Sequence, residues 1–222
     1  MILPPPPTKF ETDPAGRILY PIDNGEPLSN DTEHLDWINF VKGGLDDWFS
    51  GRDDVFVAAD LLWYPVEGRP DIAKAPDVMV ALGRPAGPRS CYKQWEEGGQ
   101  PPQVVFEFIS RSNTADEMMD KLEFYSAMGC EEFFVYDYRR GKLHLFRRDG
   151  GPGLAQRQSE EDGAFESKAL GMRFGLAEDG ALWVRRPDGR PFETRRELLE
   201  RAESLAAKLR ELGVDPESLR IG

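Results

Sequence analysis

PPQVVFEFISRSNTADEMMDKLEFYSAMG, residues 101–129, decides the fold. Val104-Val105-Phe106-Glu107-Phe108-Ile109 is apolar on both alternating faces, the pattern of a strand covered on both sides. Glu107 is the single polar side chain in that run. An unpaired carboxylate in such a place costs roughly several kcal/mol, so it must find a cation, a proton or a metal. Behind the strand, Thr114-x-x-Glu117 forms a capping box that opens a helix. Met118, Leu122, Tyr125 and Met128 recur at helical spacing, and Gly129 supplies the stop. Lys121 lies one turn past Glu117, beside that stripe, where its ammonium can reach back toward the strand. Glu107 and Lys121 are therefore the first candidate pair.

Upstream, Asn30-x-x-Glu33 signals a helix running to about Phe49, with Leu35, Ile38, Val41, Leu45 and Trp48 on one face. Gly43-Gly44 weakens its middle by about 1 kcal/mol per glycine relative to alanine. Residues 54–64 read as one long strand, stopped by Pro65. After a turn-rich stretch, Ala75–Leu82 reads as a second strand. Pro76 sits at its start, where a missing N–H does least harm, and Asp77 follows at once. Residues 83–102 read as a long loop carrying Arg84, Arg89, Tyr92, Lys93, Gln94 and Trp95, and a loop of that length is usually functional or disordered.

Downstream, Glu132–Tyr138 reads as a strand and Gly141–Phe146 as its hairpin partner. Residues 149–180 carry short strands and turns, and Ala181–Val184 one more strand. Glu193–Gly213 is the clearest helix. Thr194-x-x-Glu197 caps it, and Leu198, Ala202, Leu205, Leu209 and Leu212 form one stripe, a face for the body of the domain or for a partner copy. The division that follows is a Pro-rich arm over 1–28, a main domain over 29–184 and a helical extension over 185–222.

The 222 residues suffice for one domain of about 150 residues plus extensions. The net charge of −12, from 40 acidic and 28 basic residues, weighs against a dedicated duplex-binding protein, whose affinity rests on Lys and Arg. Charge can nonetheless be segregated: residues 31–54 are acidic, whereas Arg139-Arg140-x-Lys142 and Arg147-Arg148 form a basic cluster. Cys91 and Cys130 lack metal-type spacing and read as thiols of a reducing compartment. No apolar run has the length of a signal peptide or a membrane span, so the expected location is cytoplasmic, with no membrane partner.

The coarse order is helix, three strands, helix, strand, an α/β (α+β) arrangement. Neighbouring strands lie about 4.8 Å apart, so Asp77 and Glu107 on adjacent strands can hold one hard divalent cation between them. Mg²⁺ (or Mn²⁺) suits such a site: one or two carboxylates, a carbonyl, several waters and substrate phosphate oxygens. The main-chain carbonyl of Phe108 is the candidate protein carbonyl. Lys121 would orient the attacking water or hold the scissile phosphate as a point charge. Each residue also has a plainer reading: Asp77 as a strand-end residue, Glu107 as an acid satisfied by Lys121, Lys121 as a solvated lysine. His34 reads as a helix-start residue and His144 as surface-facing, which argues against a histidine-based catalytic or zinc site. The chain has no Gly-rich phosphate loop and no nucleophile elbow.

Pro76-Asp77, then Glu107 within Val-Val-Phe-Glu-Phe-Ile-Ser, then Lys121 in a helix resembles the Uma-two family of putative restriction endonucleases, part of the PD-(D/E)xK nuclease superfamily. Asp-Leu-Leu-Trp-Tyr-Pro-Val-Glu-Gly (60–68), Ala-Pro-Asp-Val-Met-Val (75–80), Tyr-Lys-Gln-Trp-Glu-Glu (92–97), Lys-Leu-Glu-Phe-Tyr (121–125) and Leu-Arg-Glu-Leu-Gly-Val-Asp-Pro (209–216) look like its longer members. The likeness covers roughly residues 20–216. It implies a restriction-endonuclease-like core, a mixed β-sheet flanked by helices in the order αβββαβ, with extra C-terminal strands and a long C-terminal helix. It also implies that 29–184 is a nuclease-like domain and that Asp77 and Glu107 bind metal. The superfamily lysine usually lies two residues after the glutamate; Ile109 stands there, and Lys121 on the following helix takes its place. Glu33 matches an acid that many superfamily members carry on the first helix, near the metal.

The leading expectation is a metal-dependent endonuclease that hydrolyses DNA phosphodiester bonds through metal-activated water, with Asp77, Glu107, Lys121 and Glu33 as its catalytic set. The alternative is a nuclease-fold module that no longer cuts and serves binding or assembly; the acidic charge and the missing glutamate-x-lysine favour it. A double-strand cut favours a homodimer, with the C-terminal helix as its seam.

Overall fold

The computed structural model describes residues 5–7, 9–23, 25, 31–109 and 113–216. Helix α1 (Thr32–Phe49) is capped by Asp31, whose carboxylate accepts the His34 N–H at 2.8 Å. Asn30, the cap expected from the sequence, lies outside the described residues. The buried face of α1 runs His34, Ile38, Val41, Gly44, Leu45 and Phe49, so His34 rather than Leu35 opens the stripe.

Strands β1 (Val55–Ala58), β3 (Val78–Leu82) and β5 (Val104–Phe108) pair antiparallel in that spatial order. Helix α2 (Ala115–Met128) then crosses over, and β6 (Glu132–Asp137) joins β5 in parallel. Strands β7 (Lys142–Arg147) and β8 (Ala155–Gln156) extend the same sheet antiparallel, giving six strands ordered β1-β3-β5-β6-β7-β8. The core order is thus αβββαβ on a mixed sheet, with the parallel pair joined by a helix as such a pair requires. Strands β9 (Phe165–Glu166), β10 (Arg173–Leu176) and β11 (Leu182–Arg185) form a separate small sheet, and α3 (Arg195–Glu211) is the last helix of the described residues.

Residues 54–64 are not one strand. The run breaks after β1 at Asp60, which takes a left-handed φ of 48° and donates its N–H to the Pro76 carbonyl at 3.0 Å. Aspartate tolerates that region better than most residues. The chain turns there, and β2 (Trp63–Tyr64) pairs in parallel with β4 (Tyr92–Lys93). The expected loop over 83–102 therefore contains a strand. Tyr20 of the N-terminal arm packs against Tyr64 and Trp95, and its hydroxyl accepts the Gly68 N–H.

The sheet separates two cores. On one face α1 packs with Val78, Val80, Val104, Phe106 and Phe108 and with Phe174, Leu182 and Val184 of the small sheet. On the other, Met79, Ala81, Val105 and Phe133 meet Trp63, Tyr92, Phe124 and Tyr125. Period-two alternation along β5 therefore sends Val104, Phe106 and Phe108 toward α1, and Val105 with Glu107 toward α2.

The two glycines of α1 differ. A Cβ at Gly44 would lie 2.1 Å from the Phe192 ring, while one at Gly43 meets open space. Gly44 is the groove into which Phe192 packs; Gly43 merely loosens the helix. Gly43→Ala is expected to stabilise the protein by up to about 1 kcal/mol. Gly44→Ala is expected to destabilise it by about 1–3 kcal/mol through overpacking. Urea unfolding of both variants checks this, and a stabilised Gly44→Ala protein would refute the packing account.

Among the described residues no helix is long and apolar enough to cross a membrane. Cys91 and Cys130 are free thiols, and burial pushes the Cys130 thiol up, which keeps it inert. Helix α3 carries the expected capping box, Thr194 with Glu197, yet none of its side chains is buried.

Candidate functional site

The site forms where β3 begins and β5 ends. Continuing the register past Val78↔Phe106 places Asp77 opposite Glu107 and Pro76 opposite Phe108. Pro76 has no N–H, so this position gives the Phe108 carbonyl no ladder donor. The Pro76 carbonyl is itself turned to the Asp60 N–H. The Phe108 N–H bonds the Asp77 carboxylate instead, 2.7 Å from Oδ2. A proline followed by an aspartate thus opens the ladder and fills half of the gap with a side chain.

Glu107 is 2% exposed, and both of its oxygens are held. Lys121 Nζ donates to Oε2 at 2.5 Å, and the Tyr125 hydroxyl donates to Oε1 at 2.5 Å. Lys121 and Tyr125 stand one turn apart on α2, so one face of the helix supplies both donors. The helix is fixed as the sequence predicts, by the Thr114–Glu117 capping box and a left-handed Gly129 at its end. Burial pushes the Glu107 carboxyl up to about 7; Lys121 opposes that shift, and the negative charge of Asp77 adds to it. Burial, with the Glu107 charge beside it, also drives the Tyr125 phenol far up, which keeps it a donor.

Glu132, the other buried glutamate among the described residues, is a useful contrast. Its oxygens accept the Ser167 hydroxyl and the Lys168 N–H, neutral donors that tie β6 to the approach of the small sheet. No second acid acts on it among the forces that shift it. Glu132 is a structural acid. Glu107 shares its surroundings with Asp77 and a lysine.

The structure also brings in a residue that the sequence reading had set aside. His34 Nε2 lies 3.0 Å from Asp77 Oδ2, and the histidine is 4% exposed. Burial alone would lower the imidazole pKa; the hydrogen bond and charge of Asp77, with Glu107 and Asp31 behind it, outweigh burial and raise it. Its neighbour Glu33 is exposed, and its charge bears on Tyr136 and Tyr138. Helix α1 thus reaches Asp77 through His34. A signal for this was present: His34, Ile38, Val41 and Leu45 share helical spacing, so a histidine occupies the first position of a buried stripe. Tyr125 stands in the apolar stripe by its spacing, yet its hydroxyl is part of the site. His144 is half-buried in β7, with Nδ1 3.2 Å from the Gln156 amide, away from these groups.

Among the described residues no group of three or more His, Cys, Asp or Glu side chains could hold a metal. The donor set around Asp77 is two carboxylates, with the Phe108 carbonyl lacking a ladder donor opposite. That set fits a hard cation that keeps most of its waters, as Mg²⁺ or Mn²⁺ does, and does not fit zinc, which takes three or four protein ligands.

A family model described as Uma2, putative restriction endonuclease, matches residues 12–182. Among solved structures, the chain is similar to the crystal structure of a putative nuclease belonging to DUF820 from Anabaena variabilis. The two share 11% identity with a TM-score of 0.50, over 68% of this chain and 82% of the other. At that identity the likeness speaks for the fold. No curated protein matches the chain.

Proposed function

We propose that this chain, which belongs to the Uma2 family of putative restriction endonucleases, is a metal-dependent endonuclease that hydrolyses DNA phosphodiester bonds. The observation that carries the reading is Glu107: a buried acid, pushed up by burial and by Asp77, facing a lysine at a break in the sheet. A structural acid has no need of a second acid beside it. A cation site does, because the metal offsets both charges.

Asp77, Glu107 and the Phe108 carbonyl would hold Mg²⁺ or Mn²⁺. A divalent cation there would supply acidification of a water and neutralisation of phosphoryl charge. The chain's own residues do the rest. Asp77 is held from behind by the Phe108 N–H, so its position is set before substrate arrives. Lys121 carries three donors and is 21% exposed in its side chain, so it can keep Glu107 and meet a phosphate oxygen or the attacking water. Glu33, exposed at the first turn of α1 one residue before His34, would act on that cation through water. A cut through both strands calls for two copies. The stripe of α3, Leu198, Ala202, Leu205, Leu209 and Leu212, has the four-three-four-three spacing of a coiled-coil seam and would pair with the same helix of a second copy.

A second reading, a nuclease-fold module that binds without cutting, draws on the same pair: Glu107 has both oxygens satisfied by the chain's own Lys121 and Tyr125. Calorimetric titration with Mn²⁺ and plasmid nicking on the same samples decide between the two. We expect the parent protein to take up Mn²⁺ and nick. Lys121→Ala should keep cation affinity within a few-fold and lose about 10²–10³ in nicking rate, the usual cost of one transition-state donor. A parent protein that does neither would refute the enzyme and leave the binding module.

A further inference from the structure

We infer that His34 is a positioning residue for Asp77, fixing the carboxylate so that one of its oxygens, Oδ1, is offered to the cation. This deepens the reading just given and rests on it. An ionised carboxylate only accepts, so at 3.0 Å the His34 Nε2 must carry the proton and donate it to Oδ2. The Phe108 N–H lands on the same oxygen. Among the described residues, both hydrogen bonds to Asp77 thus fall on Oδ2. Two donors on one oxygen fix the χ2 torsion of a side chain that is otherwise broad about that bond.

His34 is in turn held by its backbone and by its ring neighbours. Its backbone N–H donates to the Asp31 carboxylate at 2.8 Å. Its ring lies nearly parallel to Tyr138, with 19° between planes, and presents an edge to Phe108. The Tyr138 hydroxyl donates back to Asp31, at 3.2 and 3.0 Å from its two oxygens. Asp31, His34 and Tyr138 therefore close a circuit between the start of α1 and the end of β6, from which the Nε2–H reaches out to Asp77. A histidine serving only to fill the core would need no carboxylate, and Nε2, the nitrogen turned toward Asp77, is spent on that carboxylate rather than on a metal. Outer partners of this kind typically carry 10–100-fold in metal affinity.

The test is Mn²⁺ calorimetry on the full chain and on His34→Ala and His34→Gln, with thermal unfolding and plasmid nicking alongside. His34→Ala is expected to weaken Mn²⁺ binding 10–100-fold and to raise the Mn²⁺ concentration for half-maximal nicking by the same factor, with the plateau rate largely kept. His34→Gln retains an N–H donor and is expected to restore most of the affinity, and it serves as the variant to read if the alanine protein folds poorly. In an Asp77→Ala background, adding His34→Ala should change Mn²⁺ binding no further. Parental Mn²⁺ affinity in His34→Ala, or equal losses in both variants that follow their melting temperatures, would overturn the inference while leaving the endonuclease standing. A parent protein that takes no Mn²⁺ would overturn both.

Discussion

Glu107→Gln is expected to abolish cation uptake and nicking while leaving the protein more stable at pH 8 than the parent. The folded-state carboxyl titrates near 7 against an ordinary 4.5, because burial disfavours its charge. An acid whose pKa is raised contributes stability that is complete below about 4.5 and is lost as pH climbs through about 7. A shift of that size corresponds to about 3 kcal/mol, an upper bound for a group paired this closely with a lysine. The glutamine amide keeps the shape, accepts the Tyr125 hydroxyl and never has to be desolvated as an ion. Lys121, one-fifth exposed, can turn its ammonium to water. Urea unfolding at pH 5 and pH 8 should therefore show near-equal stability at the lower pH and a gain of about 1–3 kcal/mol for the variant at the higher. A variant that is weaker at pH 8 would mean that the ion pair with Lys121 outweighs burial.

Asp77→Ala should lose the same activity at the opposite cost to the fold. Two donors depend on Asp77, the Phe108 N–H and the His34 ring, and both are interior. The Pro76 carbonyl, the acceptor that a regular ladder would bring to Phe108, is engaged by Asp60. Each orphaned donor costs about 1–3 kcal/mol, so a loss of about 2–4 kcal/mol is expected in urea unfolding. Asp77→Asn, which keeps an acceptor oxygen, should cost about half as much and nick no better. An alanine variant of parental stability would show that Phe108 finds another acceptor. The two acids of one site are thus predicted to move stability in opposite directions when removed, because one is a buried charge in excess and the other a support for its neighbours.

Most of the core was legible because its signals are local. Capping boxes span four residues, and Thr114 with Glu117 and Thr194 with Glu197 form as read. The acid in the apolar run of β5 was equally plain, and its lysine lies on the helix that follows. What was not legible depends on contacts far apart in sequence. Nothing in Asp-Leu-Leu-Trp-Tyr announces that Asp60 turns left-handed, since that turn is held by Pro76. Strands β2 and β4 are two residues each, and their parallel pairing exists only because the break at Asp60 delivers Trp63 to Tyr92. His34 meets Asp77 across 43 residues of chain. A lone histidine at a helix start carries no sign of such a partner, although its place in the buried stripe was visible.

Helix α3 buries none of its side chains, and an isolated helix of 17 residues is marginal in water. It holds about a third of the residues in the three helices. If the seam proposed for it closes on a second copy, its folding is linked to association and obeys mass action. Helical content then becomes a function of protein concentration: on dilution the far-ultraviolet ellipticity falls while the sheet and the acid pair within it remain as they are. In that sense the chain contains one part whose structure is settled by its own core and another whose structure is settled by how many neighbours it has.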